Sequence, residues 1–132
     1  MTCLTPDFLI PILGRYPEIG LAFLFGSAAS GRMTAESDVD VAVFFEPAPD
    51  IDRCEDIREA LAKATHREVD LVILNQASPI LRMQVLKNGI PLIKNEKIYE
   101  EFFVRTLSEY DDLKRTRKVI EDRILSEATH AA

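Results

Sequence analysis

The sequence predicts a protein of the α/β class, more closely α+β, and three features carry that expectation. Residues 21–25, 41–45 and 69–74 are short apolar runs of strand length, rich in branched and aromatic side chains. The stretches between them carry helix start and stop signals. From residue 96 to about 125, apolar residues recur mostly at spacings of three or four, which predicts one long terminal helix.

Taken in order, Thr5-Pro6-Asp7 reads as an N-cap followed by Pro at the first helical position, opening a helix to about residue 16. Its apolar stripe is Phe8, Leu9, Ile12 and Leu13, and residues 14–17 end it. Residues 21–25 follow as a buried strand. Residues 41–45 are apolar on both faces, which predicts a central strand. Pro47-Ala48-Pro49-Asp50 is a loop into a second helix over residues 51–65, with Ile57 and Leu61 inward and Cys54 one turn before. Ser78-Pro79 starts a third helix carrying Ile80, Leu81, Val85 and Leu86, closed by Asn88-Gly89. Ile90-Pro91-Leu92-Ile93 is expected as an edge strand, since Pro cannot complete a central ladder. The long helix carries Ile98, Phe102, Leu107, Tyr110, Leu113, Ile120 and Ile124. Its first half is expected to pack on the domain. Its second half, with Arg115, Arg117, Lys118 and Arg123, reads either as a contact with a partner or another copy, or as a solvated charged face.

Composition bounds the answer. A chain of 132 residues with 47% hydrophobic and 29% charged content is expected to form one globular domain over 1–132, with a core over about 5–94. No apolar run has the length of a membrane span, no signal segment is recognisable, and Cys3 and Cys54 are too few for a disulfide framework, so a cytoplasmic protein is expected. His66 and His130 are isolated and read as surface residues. The net charge of −6 argues against direct binding of nucleic acid, which needs a basic surface.

The chemistry is concentrated in FLFGSAASGRMTAESDVDVAVFF, where Gly26-Ser27 is followed after ten residues by Asp38-Val39-Asp40. Alternate residues of a strand share a face, which would set Asp38 and Asp40 about 6.6 Å apart. At an effective dielectric near 20 their mutual repulsion is roughly 2.5 kcal/mol. Paired carboxylates at the mouth of a buried strand call for compensation. A divalent cation supplies it, and oxygen ligands favour Mg²⁺ or Mn²⁺. Asp70 stands near the start of another apolar run. Alone it would read as a strand cap; beside Asp-x-Asp it reads as a third carboxylate, provided the two strands pair. Three convergent carboxylates suit two cations clamping an in-line phosphoryl displacement. Gly26 permits a sharp reversal, and Ser27 starts a turn whose N–H groups and hydroxyl suit a nucleotide phosphate. Arg32 is placed either to reach phosphate or in a solvated loop.

The G-S-x10-D-x-D pattern resembles the signature of the polymerase-β-like nucleotidyltransferases, and the chain's size resembles their smallest branch, the minimal nucleotidyltransferases. The resemblance implies a small nucleotidyltransferase fold, a mixed β-sheet flanked by helices. It implies that Asp38 and Asp40 bind metal and, through it, the nucleotide phosphates, with Asp70 completing a second metal site and helping to deprotonate the acceptor hydroxyl. It further implies an antitoxin partnered with a HEPN ribonuclease toxin, transferring AMP from ATP to a toxin tyrosine with release of pyrophosphate. Two alternatives stand beside it: a non-catalytic antitoxin that neutralises by forming a stoichiometric complex, and a nucleotidyltransferase for a small molecule with its pocket built between two copies.

Overall fold

The computed structural model describes residues 6–26 and 38–130. Its elements are α1 (Pro6–Leu13), β1 (Ile19–Phe25), β2 (Val39–Phe45), α2 (Ile51–Thr65), β3 (Val69–Ile73), α3 (Pro79–Asn88), β4 (Ile90–Lys94) and α4 (Glu96–His130). The strands form one sheet in the order β3-β2-β1-β4. β2 pairs with β1 antiparallel and with β3 parallel, and β1 pairs with β4 antiparallel, so the sheet is mixed. The parallel pair needs a long crossover, which α2 supplies. β1 and β2 are central, as their continuous apolar runs require, and β4 with its Pro91 lies at an edge.

Strand alternation splits the core in two. Val39, Val41, Val43 and Phe45 of β2, with Ala22 and Leu24 of β1, pack against Leu9 and Leu13 of α1 and Ile57 and Leu61 of α2. On the opposite face Leu21, Phe23, Ala42 and Leu74 meet Val85 of α3 and Phe102 of α4. The Phe44 and Phe102 rings tilt against each other with centroids 5.3 Å apart. Among the described residues, no helix is long and apolar enough to cross a membrane.

The helix ends follow local chemistry. Asp50 caps α2 by accepting from Arg53 N at 2.7 Å, and Ser78 caps α3 by accepting from Leu81 N at 3.2 Å. α1 stops at Leu13, earlier than the sequence suggests. Beyond it Arg15 N donates to Ile12 O and Tyr16 N to Leu13 O, three-residue bonds that tighten the chain into turns. Gly89 ends α3, but with φ −75° rather than in the left-handed region. What requires glycine there is space: a Cβ would stand 2.6 Å from Val85 O and 3.2 Å from Phe23 Cβ.

The apolar stripes also differ from expectation. Phe8 of α1 is 46% exposed, and in α3 the buried residues are Met83 and Val85 while Ile80 faces outward. α4 runs 35 residues, about 52 Å at 1.5 Å per residue. Its first part is bound to the body: Phe102 and Thr106 are buried, and Arg82 of α3 donates both to Ala77 O and to Glu109 of α4.

Candidate active site

β1 and β2 run side by side with Phe25 opposite Asp40, and Gly26 follows immediately at φ +73°. A Cβ at Gly26 would collide with Asp40 Oδ2. The glycine therefore does two things: it adopts a backbone conformation that L side chains disfavour, and it leaves room for the carboxylate beside it. The first is legible from a glycine that follows an apolar strand; the second is not. No side-chain pattern signals clearance; only the register of β1 against β2 reveals it.

Asp40 occupies the second position of β2 and is half-buried. Asp38 lies just ahead of the strand and is exposed, rather than on the ladder as the spacing suggested. The reason is that β2 is fastened to β3 from Val39 onward, where Val39 N donates to Glu68 O at 2.9 Å. The parallel register then sets Asp40 directly opposite Asp70, and laterally paired residues face the same side of a sheet. The face is the one that carries Ala42 and Phe44 further along β2.

The electrostatics agree with that convergence. The Asp40 carboxyl is raised above the ordinary aspartate value, first by partial burial, then by the charge of Asp70, then by that of Asp38. Each of these influences disfavours the anion, so the site holds negative charge that its own surroundings leave under-compensated. Such a site attracts cations, and carboxylate oxygens select hard ones. Among the described residues, no three acidic, His or Cys side chains are gathered closely enough to form a complete metal cage. The donor set still fits Mg²⁺, which retains waters and is held by one or two carboxylates together with substrate phosphates. Ser27 and Arg32, the other expected nucleotide-binding residues, lie outside the described residues.

The family described as Polymerase beta, Nucleotidyltransferase matches residues 8–98. The chain is 34% identical over 110 residues to the protein adenylyltransferase MntA of Shewanella oneidensis, covering 83% of this chain and 79% of that one. It superposes with a TM-score of 0.78 on a chain of a toxin–antitoxin complex crystallised with AMP-PNP, at 33% identity over 92% of this chain and 99% of the other. A second structure, of a tri-AMPylated HEPN toxin from Shewanella oneidensis with its MNT antitoxin, matches with a TM-score of 0.71 and 31% identity, covering 91% and 95% of the two chains. With the family matching most of the chain and a relative at 34% identity over 83% of it, the chain belongs to the polymerase-β nucleotidyltransferase family.

Proposed function

We propose that this protein is an antitoxin adenylyltransferase acting in the cytoplasm, which transfers AMP from ATP to a tyrosine hydroxyl of a partner HEPN ribonuclease toxin and thereby silences it. The observation that carries the reading is the register of Asp40 against Asp70, with Asp38 adding its charge to the same carboxyl. The likeness to an adenylyltransferase named as such, and to an antitoxin found with its AMPylated toxin, supports the choice of reaction and acceptor.

In this reading the ATP triphosphate lies against the turn at Gly26, and Ser27 and Arg32 are assigned to its phosphates from the sequence pattern alone. Asp38, Asp40 and Asp70 would hold Mg²⁺, which supplies charge neutralisation to the phosphates when bound. The toxin phenol, with an unperturbed pKa of about 10, needs a base, and the exposed carboxylate of Asp70 accepts its proton. The phenolic oxygen attacks the α-phosphorus, an O–P bond forms, the bond to the β-phosphate bridge breaks, and pyrophosphate leaves. Asp40 keeps its place because β2 is bonded on both sides, so the site is built in advance of the reaction.

The test is transfer of label from α-labelled ATP with Mg²⁺ to the HEPN protein encoded beside this chain. Wild type labels the toxin and suppresses its RNase activity. Asp38→Ala/Asp40→Ala remains folded and loses about 10³-fold or more of the transfer rate. A complex that silences the toxin equally well with wild type and with the double variant, and without label, would mark the protein as a purely binding antitoxin. Label moving to a small acceptor would instead mark it as a small-molecule enzyme.

A further inference from the structure

α4 carries one apolar seam along its length, and the body covers only the first half. Phe102 is 5% exposed and Thr106 0%, whereas Leu113 is 40%, Ile120 53% and Ile124 59% exposed. Positions 106, 110, 113, 117, 120 and 124 alternate spacings of four and three, which keeps a stripe turned toward a partner helix. Where the seam leaves the body, Ile80 of α3 joins Tyr110, Leu113, Arg117 and Lys118 in lining a groove of about 390 Å³. That groove lies away from the carboxylates: α3 follows the end of β3 opposite to Asp70.

Charge narrows the choice of occupant. Residues 113–126 hold Lys114, Arg115, Arg117, Lys118 and Arg123 against Glu121 and Asp122, a local excess of positive charge in a chain whose total is −6. Arg117 sits within the seam itself, between Leu113 and Ile120, and its nearest carboxylate is Glu121 at 4.0 Å, an exposed pair of little strength. If two copies paired through this helix, in either direction, their Arg117 side chains would meet or lie within a turn of each other, like charges in a closing interface. A copy docked by its acidic body would leave its own helix unpaired, a contact that does not close. A bilayer favours a clean division of apolar and charged faces, which Arg117 interrupts. The seam suits an apolar helical face that bears carboxylates.

We propose that the distal half of α4 is the docking helix for the HEPN toxin, its seam covered by an apolar toxin helix with acidic residues opposite Lys114, Arg117 and Lys118. The proposal rests on the toxin–antitoxin reading above and adds to it the surface that holds the partner, at a distance from the carboxylates that modify it. Docking and chemistry then occupy different ends of the fold and separate under mutation.

The experiment compares the full chain with Ile120→Asp/Ile124→Asp and with Arg117→Glu, using the purified HEPN protein encoded beside it. All of these side chains are exposed, and unchanged circular dichroism and Tm verify the fold. The double variant is expected to weaken toxin binding by about 100-fold and Arg117→Glu by about tenfold. Label transfer by both variants returns to within about twofold of wild type at saturating toxin, the loss falling on KM rather than kcat. Variants that bind the toxin as tightly as wild type overturn the docking proposal alone. So does loss of self-association with toxin binding unchanged, which assigns the seam to a second copy. If wild type itself neither binds nor labels the toxin, the toxin–antitoxin reading fails, and the docking proposal with it.

Discussion

The two faces of β2 have different occupations. On one, Val39, Val41, Val43 and Phe45 are each no more than 1% exposed and meet α1 and α2 in an uninterrupted aliphatic layer. On the other, the side chains change from a half-buried carboxylate at Asp40, through Ala42, to Phe44, whose ring tilts against Phe102 of α4. Seven residues thus serve folding and chemistry at once, because the period of two keeps the functions on opposite sides. The first face can be apolar throughout because it contributes nothing to the site. The second tolerates a charge repelled by its neighbours because the first holds the strand in place.

Three substitutions break or sharpen that contrast, in falling order of effect on stability. Phe45→Ala removes a fully buried ring from the aliphatic face at the end of β2 away from Asp40, and about 3–5 kcal/mol of stability should go with it. Urea unfolding measures the loss, and the transfer rate per folded molecule stays at the wild-type value. A rate that drops independently of the folded fraction would mean that the two faces are coupled.

Gly26→Ala tests the turn from the other side. The left-handed conformation at Gly26 costs an alanine about 1–2 kcal/mol. The added Cβ also pushes Asp40 aside, and a misplaced carboxylate should slow transfer by about 10²-fold. A variant that loses stability while keeping its rate would leave the turn as backbone geometry alone.

Asp40→Asn has the smallest effect on stability, with the opposite sign. Because the folded state raises the Asp40 pKa, this group favours folding only while protonated. That contribution is complete below the unfolded value, near 3.8, and is lost as pH rises through the folded value. At neutral pH, in chelator, Asp40→Asn should therefore melt a few degrees higher than wild type, and the gap should close as the pH falls toward the carboxylate range. Thermal melts over a pH series check the sign. A variant less stable than wild type at neutral pH would show Asp40 to be compensated by partners that favour its charge.

What was legible in the sequence follows from the same geometry. Strands announce themselves by alternation and by continuous apolar runs, so the central place of β2, the edge place of β4 and the company of Asp70 with Asp40 could all be anticipated. The start of α3 was legible from Ser78-Pro79 and that of α2 from the Pro-rich loop before it, where the structure adds Asp50 as the cap. Facing was harder. Phe8 and Ile80 look like core residues from their types alone, yet each lies on the outer side of a short helix, and Met83 takes the inward place in α3. The spacing of Asp38 and Asp40 could not reveal that pairing with β3 begins only at Val39. The tight contacts of Gly26 and Gly89 depend on residues distant in sequence, Asp40 in one case and Phe23 in the other.

The edge position of β3 has one more consequence. Apart from Asp70 the strand is Val69, Leu71, Val72 and Ile73, at the border of the sheet. An apolar border strand invites pairing with its like on other molecules, and a charge within it, like the strand's shortness, is a safeguard against aggregation. Asp70 thus guards solubility as well as standing opposite Asp40. Replacing it with valine would lengthen an adhesive strip along the sheet border and favour precipitation, so an inactive stand-in for structural work is better made at Asp38, outside the ladder.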